Sequence, residues 1–183
     1  MKKFMSIEEM NIVPKKKIGS GMEHDVYPST NQDVVIKTIS SRFGKTLPKI
    51  RMAWVNLFQE HPDIFPKVIK VTETYVVLEK LDTNKAMSEY LTLDGLLKED
   101  RELWEGDLAY TLFLIYDDNV DEDKLTAIDE HFENMGDKAF NLYAKWRDLI
   151  LKFLDIMPHD YYSDLHVGQF GYSKDGTLKI LDF

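Results

Sequence analysis

Asp164, Gln169 and Asp182 are the residues of this chain whose types and spacing could do chemistry. They bracket two apolar, β-prone runs, Gln169 to Tyr172 and Leu178 to Leu181, separated by Lys174-Asp175-Gly176. A Lys-Asp-Gly turn between such runs predicts a β-hairpin with Gly176 in the positive-φ position. A hairpin brings its two ends together, so three oxygen-bearing side chains converge on one small volume. Oxygen donors of this kind suit a hard cation such as Mg2+, which takes one or two carboxylates and leaves its other positions to phosphate and water.

A second group lies near the start. Lys17-Ile18-Gly19-Ser20-Gly21-Met22-Glu23-His24-Asp25-Val26 is followed by Val34-Val35-Ile36-Lys37. A glycine pair between two β-prone runs lets the backbone turn tightly and approach a ligand with no Cβ in the way. Lys37 then stands inside an apolar strand.

Several elements must position these groups. Ser6 to Glu9 has capping-box spacing and predicts a short helical turn ended by Pro14. Leu47, Ile50, Ala53/Trp54 and Leu57/Phe58 recur at three- and four-residue steps, which predicts a helix over 47–59 with Pro48 in its first turn. His61-Pro-Asp-Ile-Phe-Pro66 ends that helix, and His61 reads as a structural capping residue. Strands are expected over 67–71 and 75–79. Beyond Thr83 the pattern turns helical, with helices expected over 84–98, 107–116, 122–134 and 137–157. The acidic run from Asp117 to Asp123 lacks the glycine and terminal glutamate of a calcium loop and reads as a solvated helix entrance.

Composition bounds the function classes. A chain of 183 residues with 44% hydrophobic residues folds around a real core without staples. With no cysteine it carries no disulfide, thiolate metal site or thiol nucleophile. Its formal charge of −9 disfavours nucleic-acid binding, although Thr38 to Gln59 holds Arg42, Lys45, Lys49 and Arg51 and no acid. No run of about 18 apolar residues is present, so a soluble, cytoplasmic protein away from membranes is expected.

The motifs carry a resemblance. Asp164, Gln169 and Asp182-Phe183 occupy the slots of the Asp-x-x-x-x-Asn…Asp-Phe-Gly pattern of protein kinases. With His166 and Gly168 the wording is close to the Asp-Leu-His-x-Gly-Asn loop of aminoglycoside and other small-molecule phosphotransferases. Gly19-x-Gly21-x-x-His24-x-Val26 resembles the kinase glycine-rich loop, Val34 to Lys37 resembles Val-Ala-Ile-Lys, and His61-Pro-Asp-Ile resembles the His-Pro-Asn-Ile turn.

The resemblance implies an α+β, kinase-like bilobal fold. An antiparallel five-strand N-lobe with one helix would span residues 1–82. A shortened helical C-lobe would span 83–183 and end at the Asp-Phe of the metal-binding motif. Small kinase-like proteins of bacteriophages and bacterial effectors are similarly trimmed, and for a phage protein the compartment would be the host cytoplasm.

The resemblance also implies roles. ATP would lie against Gly19, Ser20, Gly21, Val26 and Lys37, with Leu78 as gatekeeper and the backbone of Glu79 and Leu81 reading adenine. Lys37 would neutralise the α/β-phosphates, and Gln169 and Asp182 would hold Mg2+. Asp164 would accept the proton of the attacking hydroxyl, with His166 as a donor near the γ-phosphate. The family's helix glutamate is missing, so Lys37 would be held by Asp182, by phosphate, by Asn56 or by Glu60.

Two functions follow: a phosphotransferase acting on a hydroxyl, on protein or small molecule with protein the first expectation, or a pseudokinase that docks on a partner protein. His24 for glycine and Gln169 for asparagine favour the second; joint retention of Lys37, Asp164 and Asp182 favours the first. An aminoglycoside-type kinase rests on Asp-Leu-His-x-Gly alone and stands last.

Overall fold

The computed structural model describes residues 17–20, 24–39, 48–72, 75–117, 121–157 and 165–181. Gly21, Asp164, Asp182 and Phe183 lie outside them, as do Ser6 to Glu9, Arg42 and Lys45. The chain divides into two compact units, Met1–Leu81 and Asp82–Phe183.

Unit 1 is a mixed α/β piece. Its strands are β1 (Gly19–Ser20), β2 (His24–Pro28), β3 (Val34–Ile39), β4 (Val68–Val71) and β5 (Tyr75–Glu79), in the order β1-β2-β3-β5-β4. Each neighbouring pair is antiparallel. The β2–β3 turn is made by short polar side chains: Ser29 Oγ accepts from the Asn31 amide at 3.2 Å, and Asn31 Oδ1 accepts from the Asp33 amide at 3.0 Å. Branched residues dominate β3, which lies in the middle of the sheet where a pleated, buried surface favours them.

Helix α1 (Pro48–Glu60) follows β3, one residue later at each end than periodicity suggests. It buries Val55 and Phe58. Phe58 stacks on Phe65 at 4.5 Å, and the Phe65 amide donates to the His61 carbonyl at 3.0 Å, closing the turn that ends the helix. Burying each phenyl ring contributes about 1.5–3 kcal/mol.

Unit 2 holds helices α2 (Thr83–Leu97), α3 (Leu108–Asp117), α4 (Glu122–Asn134) and α5 (Asp137–Ile156). A single 3-10 turn, Val167–Gln169, then leads into a hairpin of β6 (Phe170–Tyr172) and β7 (Leu178–Ile180). Gly176 has φ of +87°, as a Lys-Asp-Gly turn requires. The core is aromatic: Trp146 lies 5.3 Å from Tyr90 and 4.8 Å from Phe170, and Phe132 stacks on Tyr143 at 4.2 Å. All five rings are essentially excluded from water.

Caps explain the helix starts. Asp82 Oδ1 accepts from the amides of Asn84 and Lys85, and Asp121 Oδ1 from that of Lys124. Asp82 also forms a two-bond bridge to Tyr172, its amide donating to the Tyr172 carbonyl at 2.8 Å and its carbonyl accepting from the Tyr172 amide at 3.0 Å. One expectation is corrected here. Gln169 belongs to the 3-10 turn rather than to β6, because its side chain bends back to cap that turn.

No helix among the described residues is long and apolar enough to cross a membrane.

Candidate functional site

In unit 1 the strand register decides which residues share a face. Gly19 pairs with Val26, Val26 with Lys37 and Lys37 with Val76. Directly opposed residues point the same way, so these four form one row across β1, β2, β3 and β5. Two residues along, Pro28, Val35 and Leu78 form the next row on the same face. Val26, Val35, Lys37 and Leu78 are therefore brought together.

Lys37 is buried, at 5% exposure, between apolar neighbours Val35, Val76 and Leu78 that are themselves buried. A buried ammonium is costly unless something compensates its charge. Among the described residues, the Lys37 Nζ lies 4.9 Å from the centroid of the Trp54 ring on α1. Asn56 and Glu60, the polar candidates on the same helix, are exposed.

Glu79 and Lys80 mark the far end of β5. The Glu79 amide donates to the Lys67 carbonyl at 3.0 Å and the Lys80 amide to the Asp33 carbonyl at 2.8 Å, so this end is pinned from both sides. The Glu79 carboxylate accepts from the Lys67 amide at 3.1 Å, and Leu81 is buried. A cleft of about 270 Å³ opens beside this end, lined by Ile18, Pro28, Val35 and Lys80 among others. Lys37 does not line it, and its volume falls just short of the roughly 300 Å³ at which ligand pockets begin.

In unit 2 the turn before β6 is held reciprocally. Gln169 Oε1 accepts from the His166 amide at 2.9 Å, and His166 Nδ1 accepts from the Gly168 amide at 3.1 Å. Nδ1 as acceptor puts the imidazole proton of neutral His166 on Nε2. His166 is exposed and Gln169 buried. A Cβ on Gly168 would come within 3.0 Å of the His166 ring, which is why glycine suits that position. The Leu181 amide donates to the Gln169 carbonyl at 2.6 Å, so the last described residue of the second hairpin arm lies beside Gln169.

The Gln169 amide oxygen is thus already an acceptor, with one lone pair remaining for a cation. Among the described residues no group of three or more His, Asp or Glu is placed to hold a metal ion.

Sequence reasoning missed two features. Trp54 was readable only as part of the apolar stripe; the acid-free stretch from Thr38 to Gln59 after the strand lysine was the available signal. The other is a network in unit 2. Glu89 accepts from Lys145 at 3.0 Å and from the Trp146 indole at 3.3 Å, while the Tyr172 hydroxyl donates to Glu89 and accepts from Lys145. The Lys85 and Lys145 ammonium groups lie 4.3 and 4.6 Å from the centre of the Tyr172 ring. Burial alone would raise the Glu89 carboxyl, but the hydrogen bonds from Tyr172, Lys145 and Trp146 outweigh it and hold the group below its ordinary value. Burial first, and then the bond to Glu89, push the Tyr172 hydroxyl upward.

No protein-family model matches the sequence, and no curated protein matches it. Solved structures do. The complex of APH(2")-IIa with gentamicin is similar over 91% of this chain and 63% of its own, at 14% identity and a TM-score of 0.37. ADP-bound aminoglycoside phosphotransferase APH(2'')-Ib is similar over 91% and 64%, at 14% identity and a TM-score of 0.36. The ternary complex of streptomycin, ATP and APH(2")-IIa is similar over 44% and 31%, at 15% identity and a TM-score of 0.29. The chain spans less than two thirds of the length of these structures. The likeness is a distant one, at TM-scores of 0.29 to 0.37.

Proposed function

We propose that this chain is an ATP-dependent phosphotransferase that moves the γ-phosphoryl group to a hydroxyl. The observation that carries the reading is the buried Lys37 in a row with Gly19, Val26 and Val76 on an otherwise apolar sheet face, next to Val35 and Leu78. An apolar bed ending in a fixed cation matches a nucleotide, whose base is flat and uncharged and whose phosphates are anionic.

Each residue has a task in this reading. Val26, Val35 and Leu78 hold the base by apolar contact, while the Glu79 carbonyl and Leu81 amide read its hydrogen-bonding edge. Backbone amides at Gly19, Ser20 and Gly21 meet phosphate oxygens, and Lys37 offsets charge on the α/β-phosphates. In the transfer the acceptor oxygen bonds to the γ-phosphorus, the bond to the β-phosphate oxygen breaks, and ADP departs. Asp164 takes the acceptor's proton, and His166 Nε2–H donates to the phosphoryl oxygens.

Asp182 and Gln169 would hold Mg2+ through their side-chain oxygens, and the ion would supply charge neutralisation at the phosphates. The commitment of the Gln169 oxygen to the His166 amide leaves it a weaker ligand than a free carboxamide. That one observation favours a second reading, a nucleotide-binding module without turnover that acts by docking on a partner protein.

Thermal denaturation with ATP and Mg2+ tests the proposal, followed by transfer of labelled phosphate to the protein, to lysate proteins and to aminoglycosides. At ten times the dissociation constant, ligand stabilises by about 1.4 kcal/mol. That raises the midpoint of a chain this size by roughly 3–5 °C. The shift should vanish in Lys37→Ala, and transfer should vanish in Asp164→Asn while the shift remains. Stabilisation with no transfer to any acceptor supports the docking module. No stabilisation by any nucleotide refutes both readings.

A further inference from the structure

The ring that faces Lys37 is anchored. Trp54 meets Phe58 edge-on at 4.9 Å, Phe58 stacks on Phe65 at 4.5 Å, and Phe58 and Phe65 are buried. This aromatic run links the lysine to the turn that closes α1, so the indole is held in place by packing along the helix.

We propose that Trp54 is the positioning residue of Lys37, its indole face holding the ammonium in the sheet row at which a nucleotide's phosphates are received. This rests on the phosphotransferase reading. A ring face attracts a cation through its quadrupole while bringing no net charge. A carboxylate would attract it too, but would cancel the charge that phosphate needs. From Thr38 to Gln59 the sequence supplies four basic residues and no acid, and the acid of α1, Glu60, stands exposed at the helix's last position. An indole hold is itself indifferent to carboxylate titration and brings no negative charge of its own to the site.

The contact can be read without nucleotide. Protons on the ε-methylene of Lys37, over an indole, resonate upfield of those of solvent-exposed lysines. Lys85, Lys98 and Lys145 also lie over aromatic rings, so the Lys37 signal is assigned as the one absent in Lys37→Met. It should move to the ordinary position in Trp54→Leu and stay partly shifted in Trp54→Phe. Loss of a desolvated cation–π contact should lower kcat/KM for ATP by roughly tenfold in Trp54→Leu, with Trp54→Phe recovering most of it.

The outcomes separate. A Lys37 signal at the ordinary position in the wild type, or one that Trp54→Leu leaves unmoved, overturns the proposal while leaving the phosphotransferase reading intact. Equal kcat/KM losses in the leucine and phenylalanine variants, matched by equal losses of thermal stability, overturn it as well, because packing alone would then account for Trp54. A wild type that binds no nucleotide overturns the phosphotransferase reading and the proposal with it, whatever the Lys37 signal does.

Discussion

Replacing Gln169 by leucine separates the capping role seen at the 3-10 turn from any role as a cation ligand. The side chain is 8% exposed and its Oε1 accepts from the His166 amide at 2.9 Å. Leucine has a similar volume, so little cavity is created; what is lost is one acceptor facing a backbone donor. Losing a cap acceptor costs about 0.5–2 kcal/mol, and a buried amide left without a partner costs about 1–3 kcal/mol. A midpoint lower by roughly 1–8 °C is expected in calorimetry for a chain of this length. His166→Ala removes the other half of the reciprocal cap, the bond from the Gly168 amide. Because both bonds hold the same three-residue turn, the double variant should lose less than the sum, by about 0.5 kcal/mol or more. The loss in Gln169→Leu should be the same with Mg2+ absent or present when no nucleotide is added. An unchanged midpoint in Gln169→Leu, or strict additivity with His166→Ala, refutes the reciprocal cap.

Two more predictions follow from unit 2. The Glu89 carboxyl is held below its ordinary value of 4.5, so the stability it contributes is complete above that pH and is lost as pH falls through the lower folded value; Glu89→Gln should flatten the acid side of a stability–pH curve below about pH 4.5, and an unaltered slope would contradict the network. Gly176→Ala should destabilise by about 1–2 kcal/mol, because φ is +87° while no atom lies within 4 Å of the added Cβ, so the cost is backbone strain alone; a neutral result in urea denaturation would refute that account.

Local patterns carried much of the architecture. The period-two runs around Lys37 and the three- and four-residue steps from Leu47 onward were legible because a strand and a helix each expose one face to a core. Side-chain partnerships across long separations were not legible. Trp54 looked like any apolar stripe position, since nothing in spacing distinguishes a ring packed on a valine from one packed on an ammonium. Gln169 stood where a metal-binding asparagine is expected, and its extra methylene lets it reach the His166 amide three residues back. The Glu89–Lys145–Tyr172 network joins positions 83 residues apart at its widest, and no periodicity links them. The roles expected of Gly21, Asp164 and Asp182, which lie outside the described residues, rest on sequence alone.

The bridge between Asp82 and Tyr172 has a consequence for how unit 2 comes apart. Asp82 caps α2 through its side chain while its backbone zips to the hairpin, so detaching the hairpin also unseats the first turn of a helix ninety positions upstream. Amide protons at the start of α2 and in β6 should therefore exchange with deuterium as a single event rather than fray independently. A chain segment that begins and closes on the same clasp melts as a loop does, all at once.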